Sequence, residues 1–146
     1  MNEWIRKPLN NFAVFSNGKS RPFNIDFGII PIYGGNGIFG FTNLSNSDGE
    51  TIVIGRVGAY CGSVYYDSRN IWVSDNAIIC KSRNEVHTKF LYYFLNNLKL
   101  NSFAEGSSHP LLTQTLLNSI EVTFPKTYEY QKAIAGVLST LSLIHI

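Results

Sequence analysis

The sequence predicts an α+β fold: a twisted, mostly antiparallel or mixed β-sheet region followed by helices. Three observations predict it. From Ile29 to Lys81 the apolar residues fall in short β-branched and aromatic runs separated by Gly, Asn, Asp and Ser. Near residue 85 the apolar spacing changes to a helical period. The main block of strand-like runs precedes the helices instead of alternating with them. A chain of 146 residues suits one domain with its own core. Hydrophobic residues at 45% against 15% charged place it among globular proteins and exclude disorder.

Residues 1–28 are mixed, with Trp4, Leu9, Phe12, Val14 and Phe15 as expected core contributors. Ser16 to Arg21 reads as a polar, partly basic loop. Next, Ile30, Ile32 and Tyr33 lead into Gly34-Gly35-Asn36-Gly37, and Ile38, Phe39 and Phe41 leave it, predicting a hairpin with a four-residue loop. Thr51 to Ile54 is a β-branched run closed by Gly55. Ser63 to Tyr66 forms a further strand, Asp67 to Asn70 a turn, and Ile71 to Val73 and Ala77 to Cys80 continue the sheet. Gly55, Gly58 and Gly62 punctuate it, as bulges or close backbone approaches do. Val86, Phe90, Leu91, Phe94, Leu95 and Leu98 follow helical spacing. After a loop from Asn101 to Pro110, Thr113 caps a short helix, Glu121 to Phe124 is a strand stopped by Pro125, and Tyr128 to Leu143 is the last helix. Its apolar stripe is Ala133, Ile134, Val137, Leu138 and Leu141.

No catalytic or metal signature stands out. The glycines at 34–40 lie between two strands, whereas a dinucleotide fingerprint opens a helix. Gly18-Lys19-Ser20 lacks the upstream glycine of a P-loop, position 13 being Ala. The residues two before each lysine are Ile5, Asn17, Ile79, His87, Asn97, Phe124 and Tyr130, so no acid precedes a lysine at the spacing many nucleases use to hold a metal. His87, His109 and His145 share no ligand spacing with one another or with Cys61 and Cys80. The two cysteines read as buried small hydrophobes in a reducing compartment. The first ten residues hold no secretory signal and no apolar run could span a bilayer, so the expectation is a cytoplasmic protein without membrane contact. A net charge of +2 means that any nucleic-acid binding must come from local placement of Lys and Arg.

Taken in order, several segments resemble the target-recognition domain of the specificity (S) subunit of type I restriction-modification enzymes. The resemblance covers nearly the whole chain. Tyr33 to Gly40 resembles the Gly-rich hairpin of that family. Ile54-Gly55-Arg56-Val57-Gly58, followed by Gly62, resembles a second glycine-and-arginine segment. Phe124-Pro125 leading to Gln131 and Ile134-Ala135 resembles the start of its long helix, with Tyr130 standing where the family has Glu. The resemblance implies a non-catalytic subunit that reads double-stranded DNA. Methyltransferase (M) subunits using S-adenosylmethionine and restriction (R) subunits using ATP and Mg would do the chemistry. It also implies residues 1–126 as the recognition domain and 127–146 as the start of a spacer helix that would run on, truncated here. The chain is then a fragment, a truncated product or a half-subunit that pairs with a second recognition domain. The helix residues Ile134, Val137, Leu138 and Leu141 would meet a partner helix, the alternative being packing on the domain itself.

Under that reading the candidate DNA-binding residues are Lys19, Arg21, Tyr33, Asn36, Arg56, Tyr60, Tyr65, Ser107, Ser108 and His109. Lys19 and Arg21 suit phosphates. Arg56 suits a base or phosphate, or else braces its loop through carbonyl hydrogen bonds. Asn36 suits an adenine edge, or is simply a turn residue at positive φ. The tyrosines suit sugar-phosphate or a stacked base, or else pack in the core. Ser107, Ser108 and His109 suit base edges, or form a solvated loop. Two other functions stay open on the residues alone: an aromatic-rich β module binding carbohydrate or protein, and a small hydrolase with an unrecognised carboxylate pair.

Overall fold

The computed structural model describes residues 3–23, 27–106 and 108–144. The strands are β1 (Trp4–Pro8), β2 (Ala13–Asn17), β3 (Ile30–Gly34), β4 (Gly37–Thr42), β5 (Thr51–Gly55), β6 (Val64–Asp67), β7 (Trp72–Val73), β8 (Ala77–Ser82) and β9 (Glu121–Pro125). The helices are α1 (Thr88–Leu98), α2 (Gln114–Ser119) and α3 (Tyr128–Ile144).

The strands form three sheets, not one continuous sheet: β2-β8-β5-β6, β4-β3-β7, and the pair β1-β9. The four-stranded sheet is antiparallel throughout and is covered on both faces. Side chains alternate across a strand, so Ile52, Ile54, Ile78 and Cys80 face one core while Val53, Ala77 and Ile79 face another. The first core is closed by α1, α2 and the β1-β9 pair, through Leu91, Leu95, Leu117 and Phe124. The second is closed by the three-stranded sheet, through Tyr33, Ile71 and Val73. Burial on both faces is the physical reason that Thr51 to Ile54 and Ala77 to Cys80 read as unbroken apolar runs.

Several expectations need correction. The segment before residue 28 supplies β1 and β2, and Ser16 and Asn17 belong to a strand, not to the polar loop. Trp4 and Val14 are 46% and 45% exposed and lie outside the core that Leu9, Phe12 and Phe15 enter. The Gly-rich hairpin turns over two residues, Gly35 and Asn36, because Gly34 already pairs with Gly37. The positive φ falls on Gly37 (92°), and Asn36 is not in that region. β7 leaves the four-stranded sheet and runs parallel to β3.

The helices start where their caps place them. His87 Nδ1 accepts from Phe90 N–H at 3.1 Å, and Thr113 Oγ1 from Leu116 N–H at 3.1 Å. Gln131, almost fully buried, donates from Nε2 to Pro125 O and accepts from His87 N–H, tying β9, α1 and α3 together. The stripe of α3 divides. Ala135 is buried, with Ile134 packed beside it, whereas Ala133, Val137 and Leu141 are exposed. Both cysteines are free and buried. Among the described residues no helix is long and apolar enough to cross a membrane.

Candidate nucleic-acid interface

Three loops meet at one end of the two larger sheets. The first is the β3–β4 hairpin tip. The second is the segment after β5, where Gly58–Tyr60 makes one 3-10 turn before β6. The third is the β7–β8 connection, a β-turn closed by Ala77 N–H donating to Ser74 O at 3.2 Å. Close approach between them depends on glycine: a Cβ on Gly55 would stand 2.2 Å from Tyr60 O and 3.2 Å from Gly35 O. The result is an open cleft of about 380 Å³ floored by Gly34, Gly35 and Gly37 and flanked by Asn36, Phe39, Tyr60 and Asn76. Small residues on the floor let a ligand edge approach backbone as well as side chains.

The expected residues distribute around this cleft as follows. Asn36 and Tyr60 line it, and Tyr60 is 49% exposed. The Arg21 guanidinium sits 5.2 Å from the centroid of the Phe39 ring, at the cleft wall. Gly18 packs so tightly on the β7–β8 turn that a Cβ there would stand 1.9 Å from Ser74 O; this anchors the strand end that carries Lys19, whose own N–H donates to Val73 O. Arg56 is not among the residues lining the cleft: its Nε donates to Asp75 O at 3.0 Å and its N–H to Asn76 O at 3.0 Å, the carbonyl bracing that is one of its two expected roles. Tyr65 lies under the hairpin, where a Cβ on Gly37 would be 3.6 Å from its ring. Tyr33 is deeper still. It is 6% exposed, and its hydroxyl donates to Asp67 Oδ2 at 2.8 Å. Burial, reinforced by Asp67, pushes the Tyr33 hydroxyl up to about 12. Tyr33 is therefore a core residue supporting the hairpin, with its polar atom committed.

Ser108 and His109 are exposed on the loop from 104 to 111, which is bound to the second segment through Gly58 N–H to Pro110 O and Leu112 N–H to Arg56 O. Ser107 lies outside the described residues. The helix residues Ile134, Val137, Leu138 and Leu141 belong to α3, which packs on α1 and β9 and contributes nothing to the cleft. Asn76 and Phe39 line the cleft without having been singled out. For Asn76 a signal existed: Ser74-Asp75-Asn76 between two apolar runs is turn chemistry, and turns carry exposed side chains. Among the described residues no group of His, Cys, Asp and Glu could hold a metal ion.

The chain is thus a layered α+β domain with a glycine-lined cleft of loops at its sheet ends. Residues 1–146 match the family model of the type I restriction modification DNA specificity domain, and the chain belongs to that family. It is 31% identical over 110 residues to the specificity subunit of the type I restriction enzyme EcoprrI of Escherichia coli, covering 75% of this chain and 27% of that protein. It is 25% identical over 148 residues to a putative type I restriction enzyme specificity subunit of Haemophilus influenzae, covering 97% of this chain and 38% of that protein. The fold matches the S subunit of a type I restriction-modification system from M. genitalium with a TM-score of 0.85 at 21% identity, over 97% of this chain and 39% of that one. It also matches the HsdS subunit from Thermoanaerobacter tengcongensis with a TM-score of 0.73 at 16% identity, over 96% of this chain and 37% of that one. The chain thus spans well under half the length of these relatives. Neither the carbohydrate or protein module nor the small hydrolase finds support in these matches.

Proposed function

We propose that this chain is a target-recognition domain that binds double-stranded DNA sequence-specifically and directs partner methyltransferase and restriction subunits to the site. The observation that carries this reading is the glycine-floored cleft with Arg21 at its wall and the Lys19 segment beside it, in a chain of this family. Lys19 and Arg21 contact phosphates and set the register. Asn36, Tyr60, Ser108 and His109 lie where side chains can meet base edges or sugars. Covalent chemistry belongs to the partners, which would supply S-adenosylmethionine, ATP and Mg, and the assembly works in the cytoplasm. Residues 1–126 form the recognition unit, closed by the β1-β9 pair. From residue 127 the chain forms a spacer helix whose exposed Val137 and Leu141, with half-buried Leu138, meet a partner helix, while Ile134 packs on the domain's own core.

Salt dependence tests the DNA reading. The full-length chain assembled with its methyltransferase partner should bind duplex with log K falling linearly in log salt, at a slope of about −0.9 per phosphate contacted. A flat profile would contradict it.

A further inference from the structure

We propose that Asn76 reads an adenine edge in the bound duplex and that Arg56 is its positioning residue; this rests on the DNA reading above. Asn76 occupies the second corner of the Ser74–Ala77 turn. Its backbone is held from three directions. The turn hydrogen bond closes beneath it, its N–H donates to Ser74 Oγ at 3.4 Å, and its carbonyl accepts from Arg56 N–H at 3.0 Å. Arg56 also holds the preceding peptide, through Nε to Asp75 O at 3.0 Å.

The Asn76 side chain contrasts with its backbone. The residue is exposed and lines the cleft, and among the described residues its carboxamide makes no hydrogen bond. A fixed backbone with an unspent donor and acceptor suits a reading group, because the backbone's share of the ordering cost is met before binding. A carboxamide offers both an acceptor and donors, and its bidentate match in the major groove is N7 and the N6 amino group of adenine. Gly35 beside it carries no side chain, and its ideal Cβ position lies 3.5 Å from the Asn76 carbonyl oxygen, an ordinary contact distance. Asn36 has the same carboxamide but stands at a hairpin tip without such a clamp. Arg56 is tethered at its own Nε and acts through Asn76.

The test is enrichment from a randomised duplex pool by the full-length chain assembled with its methyltransferase partner. Wild type, Asn76→Ala, Asn76→Asp, Arg56→Ala and the Arg56→Ala/Asn76→Ala double variant are compared. The wild-type motif should contain an adenine whose preference falls by about tenfold or more in Asn76→Ala, with the other positions kept. Asn76→Asp should move that position toward cytosine, whose amino group a carboxylate accepts from. Arg56→Ala should blur the same position, and the double variant should read it no worse than Asn76→Ala alone. A motif unchanged in both Asn76 variants, or a uniform weakening across all sequences, overturns the assignment of Asn76 while leaving the DNA reading intact. A wild-type complex that enriches no motif overturns the DNA reading itself.

Discussion

Asp67 ends β6 with 5% exposure, and four donors surround its carboxylate: the Tyr33 hydroxyl, and the N–H, Nε and Nη2 of Arg69. Burial by itself would raise its pKa. The Arg69 and Tyr33 hydrogen bonds outweigh burial and hold the carboxyl below its usual range. A depressed folded-state value contributes stability above the unfolded carboxyl value of about 4, lost as pH falls through the folded value. Asp67→Asn should therefore cost about 1–3 kcal/mol at pH 7 and flatten the acid limb of the stability curve, read by urea melts across pH. Tyr33 works in the opposite direction. Its raised value contributes stability below 10.0, lost as pH rises toward about 12, so Tyr33→Phe should flatten the alkaline limb. Under the proposed DNA reading, Arg21→Ala should weaken all duplexes alike and reduce the salt slope by about 1. A change in base preference would instead make Arg21 a reading residue. At this scale the sequence left Arg56 and Tyr33 undecided, because the contacts each makes in the fold are to residues 19 and 34 positions away.

Elements with local signals were legible. The 3.6-residue period of α1, the Thr113 cap and the Pro125 stop needed only neighbours in sequence to be recognised. Sheet membership was not legible, because β7 and β8 are neighbouring apolar runs separated by a short turn and part company only through pairing, β7 with β3 and β8 with β2 and β5. Trp4 misled for the same reason: its aromatic bulk suggested a core, but β1 lies at the margin and turns it toward Tyr130, 5.8 Å away edge-on. Gln131 shows what a tertiary contact adds. Gln131→Leu leaves the His87 N–H and the Pro125 carbonyl without their partner and should cost about 2 kcal/mol or more, measured by chemical denaturation. On the other face of α3, Val137→Glu should change domain stability by no more than about 0.5 kcal/mol, since that side chain is 60% exposed. The same change should block pairing with a partner helix, read as loss of assembly on size exclusion. Unaltered assembly would remove Val137 from the partner face.

At the scale of the whole molecule, the central sheet carries a core on each side, helices over one and the smaller sheet over the other. That arrangement presents three loops at one end of paired strands, so the proposed recognition site is carried by the sheets. The modest net charge of +2 fits a reader that gains specificity from a cleft and shares affinity with its assembly. The most direct measurement is competition: the assembled complex, at physiological salt, offered an enriched duplex and a scrambled duplex of the same composition. Sequence reading predicts that the enriched duplex is held about 10³-fold or more tightly. Equal retention of the two would contradict it.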